Sequence, residues 1–294
     1  MVVPQPSEEA GTMAGITERE AAEIEAANAS DRTPVVFIHG LWLLASSWEP
    51  WAGAFERAGY APICPGWPDD PATVAEARRD PQVLAGKGVG EVAAHFATVI
   101  EGLERKPVIV GHSFGGLLAQ ILAGRGLSAA TVAVNPAPFR GVLALPPAAI
   151  RATFPVLRNP ANRGRAIALS VDQFRYGWAN AVSEDEARAL HQRFHVAAPG
   201  KPLFQAAVAN LNPGTELRVD TRNPERGPLL IFTGTPDHAV PPAMSRAAYK
   251  KQSRNPGITE HIELPDRGHS LTIDSGWQEV CDASLEFLGR VAPA

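Results

Sequence analysis

The chain has 294 residues, 45% of them hydrophobic, with 27 Lys and Arg against 31 Asp and Glu for a net charge of −4. That length suffices for one large α/β domain with a sizeable core. The near-neutral balance points to neither a nucleic-acid surface nor a polybasic membrane patch, and no apolar run approaches the roughly 18 residues of a membrane helix. Cys64 and Cys281 stand far apart without metal-ligand spacing, which suits a reducing compartment rather than a disulfide scaffold. The first 30 residues are acidic and show no basic n-region followed by an apolar stretch, so the expected location is cytoplasmic.

In chain order, residues 1–15 read as a loose tail. A helix is expected over Thr17–Ala29, where Thr17 and Glu20 have capping-box spacing. Val35–Ile38, Tyr60–Ile63 and Val108–Val110 read as strands, with helices near Thr73–Arg79 and from Val89 to Leu103 between the last two. Thr131–Val134 is a further strand. Continuous apolar strands alternating with helices predict a parallel sheet covered on both faces, hence an α/β fold. The alternation stops after Val134. Residues 138–226 are rich in Pro, Arg and Asn, with helical pieces and no convincing strand. One helix opens at Ser183-Glu184-Asp185-Glu186, where Ser183 caps and Glu186 returns the bond. Strands resume at Pro228–Phe232 and Ile258–Leu264, before a last helix over Trp277–Arg290. The expected organisation is a tail and helix (1–33), a core (34–137 and 227–294) and a helical cap inserted between (138–226).

The most informative segment is Val108-Ile109-Val110-Gly111-His112-Ser113-Phe114-Gly115-Gly116. It reads as strand, tight turn and helix with Ser113 at the apex. Small residues two positions away on either side permit the strained turn, and the helix N-terminus faces developing negative charge. A serine hydroxyl attacks only when a base takes its proton, and a histidine oriented by a carboxylate does this. His269 is the expected base, because it follows the last strand beside Gly268, where loops at strand carboxyl ends gather a site. His112 is expected to pack or support, His95 to be structural, and His238 and His261 to be scaffold or surface. His191 and His195 share a helix face without the Glu of a zinc motif and are expected to be a solvated or cap-packing pair. Asp237, after the Leu230–Phe232 run and before Val240-Pro241, is the expected acid, with Asp266 as its rival; Asn135, at the end of an earlier strand, cannot carry the charge. The Phe114 N–H is one expected oxyanion donor. The Leu41 N–H, in His39-Gly40-Leu41-Trp42, is the other, with the Trp42 N–H as fallback.

Taken together, His39-Gly40, Gly111-His112-Ser113-Phe114-Gly115-Gly116, Gly234-x-x-Asp237-x-x-Val240-Pro241 and Gly268-His269 resemble the α/β-hydrolase superfamily over about residues 34–292. The resemblance is to its serine-nucleophile esterase and lactonase-like branch with a helical cap. It implies an α/β-hydrolase fold, a Ser113–His269–Asp237 triad, no cofactor and no metal. A serine nucleophile disfavours the dehalogenase and epoxide hydrolase branches, which carry Asp. Nothing before Pro34 supplies the superfamily's first two strands, so the sheet is expected to be short at that edge.

The expected reaction is hydrolysis of a small carboxylic ester or lactone through an acyl-enzyme on Ser113. A C–C bond hydrolase with the same triad is the alternative, and would use cap arginines such as Arg140, Arg151 or Arg175 for a charged substrate. A small-molecule-binding protein of the same fold is the other. Trp42, Phe139, Phe174, Trp178 and Val240 are the substrate-contact candidates. They imply a hydrophobic or aromatic small molecule as the partner, with no nucleic acid and no membrane span; a homodimer is left open.

Overall fold

The computed structural model describes residues 15–294. Most of the expected tail, residues 1–14, lies outside the described residues. In chain order the elements are α1 (Glu18–Asn28), β1 (Pro34–Ile38), α2 (Glu49–Arg57), β2 (Ala61–Ile63), α3 (Val74–Arg79), α4 (Val89–Glu101), β3 (Val108–His112), α5 (Phe114–Gly124) and β4 (Ala130–Val134). Then come α6 (Pro147–Leu157), β5 (Ala166–Ile167), α7 (Val171–Gly177), α8 (Glu184–Phe194), β6 (Ala198–Pro199) and α9 (Lys201–Val208). The chain closes with β7 (Leu229–Gly234), α10 (Pro242–Gln252), β8 (Thr259–Leu264) and α11 (Trp277–Val291).

Six strands form one parallel sheet in the order β2-β1-β3-β4-β7-β8. The central strands are buried along their whole length because helices cover both faces. The pleat sorts their side chains. Val35, Phe37, Val108, Val110, Val132, Val134, Leu230 and Phe232 face a core shared with α2 and α11. Val36, Ile38 and Ile109 face α1, α4 and α5 on the other side. Helix α5 is buried all round, as expected of a helix pressed onto a sheet centre. β2 is the edge among the described residues, so the sheet is short there as expected. The edge is blunted by α1: Glu23 accepts from the Cys64 N–H at 2.9 Å and the Arg19 guanidinium donates to the Cys64 carbonyl at 2.8 Å. The order reverses between β1 and β3, so the loops after these two strands diverge at their carboxyl ends and leave a crevice there.

Local capping matches the sequence at α1, where Thr17 and Glu20 cap each other reciprocally. It differs at α8. Ser183 accepts from the Glu186 N–H, but the Glu186 carboxylate does not return the bond. It accepts instead from the Ser275 N–H at 2.6 Å, tying α8 to the chain beyond His269. The stretch between β4 and β7 also contains what the sequence did not suggest, a short antiparallel pairing of β5 with β6. Two-residue strands have no detectable period, so only the approach of the two segments creates them.

Of the two arrangements expected of His191 and His195, solvated or packed, the packed one is found. Their rings stack 4.3 Å apart and grip the Leu169 backbone: the His191 Nε2 donates to its carbonyl and the His195 Nε2 accepts from its N–H, each at 3.0 Å. Burial, with the neighbouring His191 adding to it, pushes His195 down to about 3, so that ring is neutral. Arg78 of α3 donates to the His191, Gln192 and His195 carbonyls and closes the C-terminus of α8.

Candidate active site

Ser113 sits between β3 and α5 with φ 56° and ψ −119°, a conformation that costs an L-residue energy and persists only where the surroundings enforce it. Its N–H donates to the Val134 carbonyl and its own carbonyl accepts from Ala137. Glycine is required at two flanking positions. A Cβ at Gly115 would strike the Ile38 carbonyl, and one at Gly111 would strike the Gly115 backbone. Gly40 lies on the other side; a Cβ there would come within 2.8 Å of the Ser113 Cβ.

The topology brings three of the sequence candidates into one line. Ser113 Oγ is 2.9 Å from His269 Nε2, and His269 Nδ1 is 2.7 Å from Asp237 Oδ2. All three are buried. A carboxylate can only accept, so Nδ1 carries the proton and Nε2 is free to accept from the serine hydroxyl. The other Asp237 oxygen accepts from the Ala239 and Val240 N–H groups at 2.7 and 2.9 Å, which fixes its aim. Val240 thus holds the carboxylate through its backbone. The rival Asp266 is exposed.

The Leu41 and Phe114 N–H groups have no acceptor among the described residues, as an oxyanion site requires. Trp42, at φ 66°, donates from its indole to the Ile167 carbonyl, and its own carbonyl accepts from the Val196 N–H. The loop is pinned from below by a pair the sequence reading did not single out. His39 Nδ1 donates to the Gly40 carbonyl and Nε2 faces Asp70 Oδ2, both at 2.9 Å, while the ring stacks on Trp67. Because the Gly40 carbonyl and the Leu41 N–H share one planar peptide, holding the first orients the second.

Two further residues act on the His269 loop. Asn135, at the end of β4 with φ 41°, accepts from the Gly234 N–H at 2.7 Å and donates to the Gly268 carbonyl at 3.1 Å. His112 Nε2 donates to the His269 carbonyl at 2.9 Å. Burial, and then the neighbouring His269, holds His112 well below the usual histidine range, so it stays neutral. The supporting role expected of His112 is what its hydrogen bond performs. Asn135 was legible only as a residue unable to serve as the acid; its amide suits it to bridge a donor and an acceptor.

Trp178 covers the histidine, its ring centroid 4.5 Å from that of His269 and nearly perpendicular. Trp42 meets it edge-on, and Leu41, Phe114, Phe139 and Val240 belong to the same apolar cluster. Phe174, expected at the substrate, is fully buried, stacked on Trp178 and edge-on to His191 and His195. It props Trp178 from within the helical layer. Three expected scaffold histidines are engaged: His95 with Glu20, His238 with the Tyr176 carbonyl, and His261 with Thr233. Among the described residues no group of three or more His, Cys, Asp or Glu could hold a metal ion. Cys64 and Cys281 are both free, and burial pushes the Cys281 thiol up to about 12.

A parallel sheet with this elbow and these loops defines an α/β hydrolase. The chain belongs to the alpha/beta hydrolase family, whose model matches residues 35–283. Solved structures share the fold. The monoacylglycerol lipase of Paleococcus ferrophilus is 19% identical over 88% of this chain and 95% of its own, with a TM-score of 0.62. A thermophilic esterase from Thermogutta terrifontis is 20% identical over 88% and 90%, with a TM-score of 0.60. A pyrethroid hydrolase from Sphingobium faniae is 17% identical over 87% and 96%, with a TM-score of 0.59. No curated protein matches the chain.

Proposed function

We propose that this protein is a serine hydrolase of small, uncharged carboxylic esters or lactones. The observation that carries the reading is the aligned Ser113–His269–Asp237 chain of hydrogen bonds beside two unpaired backbone N–H groups. In this mechanism His269 takes the Ser113 proton as Oγ attacks the ester carbonyl. Asp237 holds the ring in the tautomer that can accept and stabilises the imidazolium formed. The Leu41 and Phe114 N–H groups receive the charge on the carbonyl oxygen. His269 then returns its proton to the leaving alcohol, and a water deprotonated by the same ring releases the acid from Ser113.

The walls of the site favour an ester over a C–C bond with a charged substituent. Trp178 lies on His269, Trp42 meets Trp178, and Leu41 and Phe114, whose N–H groups are unpaired, carry apolar side chains. Of the three cap arginines considered for a charged substrate, two are engaged elsewhere: Arg151 lies over the Tyr176 ring at 4.0 Å and Arg175 pairs with Glu184 at 3.1 Å. Two of the structural relatives are named as a lipase and an esterase, which fits the reading. Residues 138–226 serve as the cap, with Trp178 as their contact to the base. The test is a panel of esters and lactones of graded acyl size, assayed with wild type and Ser113→Ala. Turnover and fluorophosphonate labelling should both vanish in the variant. Labelling of the wild type with no turnover of any panel member would refute the hydrolase and favour a binding protein.

A further inference from the structure

The overall charge of −4 conceals a local excess of the opposite sign. Residues 138–226 carry twelve Lys and Arg against seven Asp and Glu, and residues 138–171 carry five arginines and no acid. Large apolar side chains are exposed in the same place. Eight are exposed among the described residues, and six of them are Leu143, Leu145, Ile150, Phe154, Val208 and Leu211, the last at 85%. The other two, Val83 and Ile258, lie elsewhere in the chain.

The segments that carry these six are joined, since α6 packs on α9. Ile150 and Phe154 follow at i and i+4 on one stripe of α6, and Arg158 caps the C-terminus of the same helix. Asn210, just past α9, accepts from the Gly141 N–H at 2.6 Å and donates to the Val142 carbonyl at 2.9 Å. That ties the segment leading to Leu143 and Leu145 to the end of α9, which carries Val208 and Leu211. Arg163 lines a cavity of about 200 Å³ with Val208, and the Lys251 ammonium lies beside Gly141. None of Arg158, Arg163 and Lys251 has an ion-pair partner among the described residues.

We infer that this face of α6 and the end of α9 docks on an anionic lipid surface, with the apolar side chains inserted and the cations at headgroup level. Apolar insertion together with basic residues is the combination that holds a protein at a charged bilayer without spanning it. A second copy of this chain fits poorly, since self-association would press unpaired cations against one another. Helix α6 packs on α7, and Trp178 after α7 covers His269. The docking face therefore lies one helix outside the candidate site, where an apolar ester dissolved in the bilayer would arrive.

The test is co-sedimentation of the full chain with vesicles of phosphatidylcholine, with and without phosphatidylglycerol. It reads binding and not turnover, so it stands or falls apart from the esterase reading. Wild type should bind the anionic vesicles and be released by salt. Each cation near such a surface contributes about fivefold, so Arg158→Glu with Arg163→Glu should weaken binding by at least about 25-fold. Leu145→Ser with Phe154→Ser should weaken it about tenfold or more. All four positions are exposed, and far-ultraviolet circular dichroism checks that the variants keep their fold. Wild type remaining in the supernatant overturns the inference. So does binding that withstands salt, or that the charge reversals abolish while the serine pair leaves it unchanged, the pattern of an acidic polymer. A stable dimer that the serine pair dissociates overturns it in favour of a self-interface.

Discussion

Asn135 offers the sharpest test of how the site is held, because it touches neither substrate nor the reacting atoms. Its side chain satisfies a buried N–H at Gly234 and a buried carbonyl at Gly268, and so joins the loop that bears Asp237 to the loop that bears His269. Asn135→Ala leaves both groups unpaired, at about 1–3 kcal/mol each. It also places Ala at φ 41°, where Asn is better tolerated, for about 1 kcal/mol more. The total of about 3–7 kcal/mol is a large share of a typical domain's stability. Asn135→Gly loses the same two hydrogen bonds without the backbone penalty, so it should be about 1 kcal/mol milder. Movement of the His269 loop by about 1 Å would lower kcat on the order of a hundredfold, while KM for a small ester should change little. Denaturant unfolding and steady-state hydrolysis measure the two effects separately. Loss of less than about 0.5 kcal/mol with kcat retained would refute the bridging role, and Gly proving worse than Ala would refute the backbone account.

Three other outcomes are expected. Ser113→Ala and His269→Ala should each abolish nearly all ester turnover with the double variant little worse, because the two act as a unit; Asp237→Asn should also be severe, while Asp266→Asn, at an exposed site, should leave kcat unchanged. Trp178→Ala should lower kcat even for a small activated ester, since the ring packs on His269, and should cost about 3–5 kcal/mol in unfolding experiments; equal loss on every ester would rule out a further role in selecting substrate size. Acidification should weaken the fold through His195, whose folded value near 3 lies below the unfolded 6.5. The unfolded chain then binds the extra proton, so this contribution is fully present above pH 6.5 and is lost as pH falls towards 3, at up to about 1.4 kcal/mol per pH unit. His195→Asn should flatten the slope measured by denaturant unfolding between pH 7 and 5, and an unchanged slope would show that His195 is not its source.

What the sequence determined by itself is what neighbouring residues impose on one another. The strand-turn-helix around Ser113 was legible because Gly111 and Gly115 stand where only glycine fits, and α1 because Thr17 and Glu20 cap each other within one turn. The order of Ser113, Asp237 and His269 was legible because each follows an expected strand, and parallel strands gather such loops at one end. Tertiary structure decided whatever depends on which loops meet. The Glu186 carboxylate left its own helix for the Ser275 N–H, a competing donor brought near by the fold. Asn135, His112 and the His39–Asp70 pair gained their partners from segments 31 to 157 positions away. Phe174 turned inward because His191, His195 and Trp178 surround it. The basic apolar face is likewise absent from the chain's overall charge. Composition sums over the whole surface, whereas a docking face forms only where the fold sets like side chains side by side.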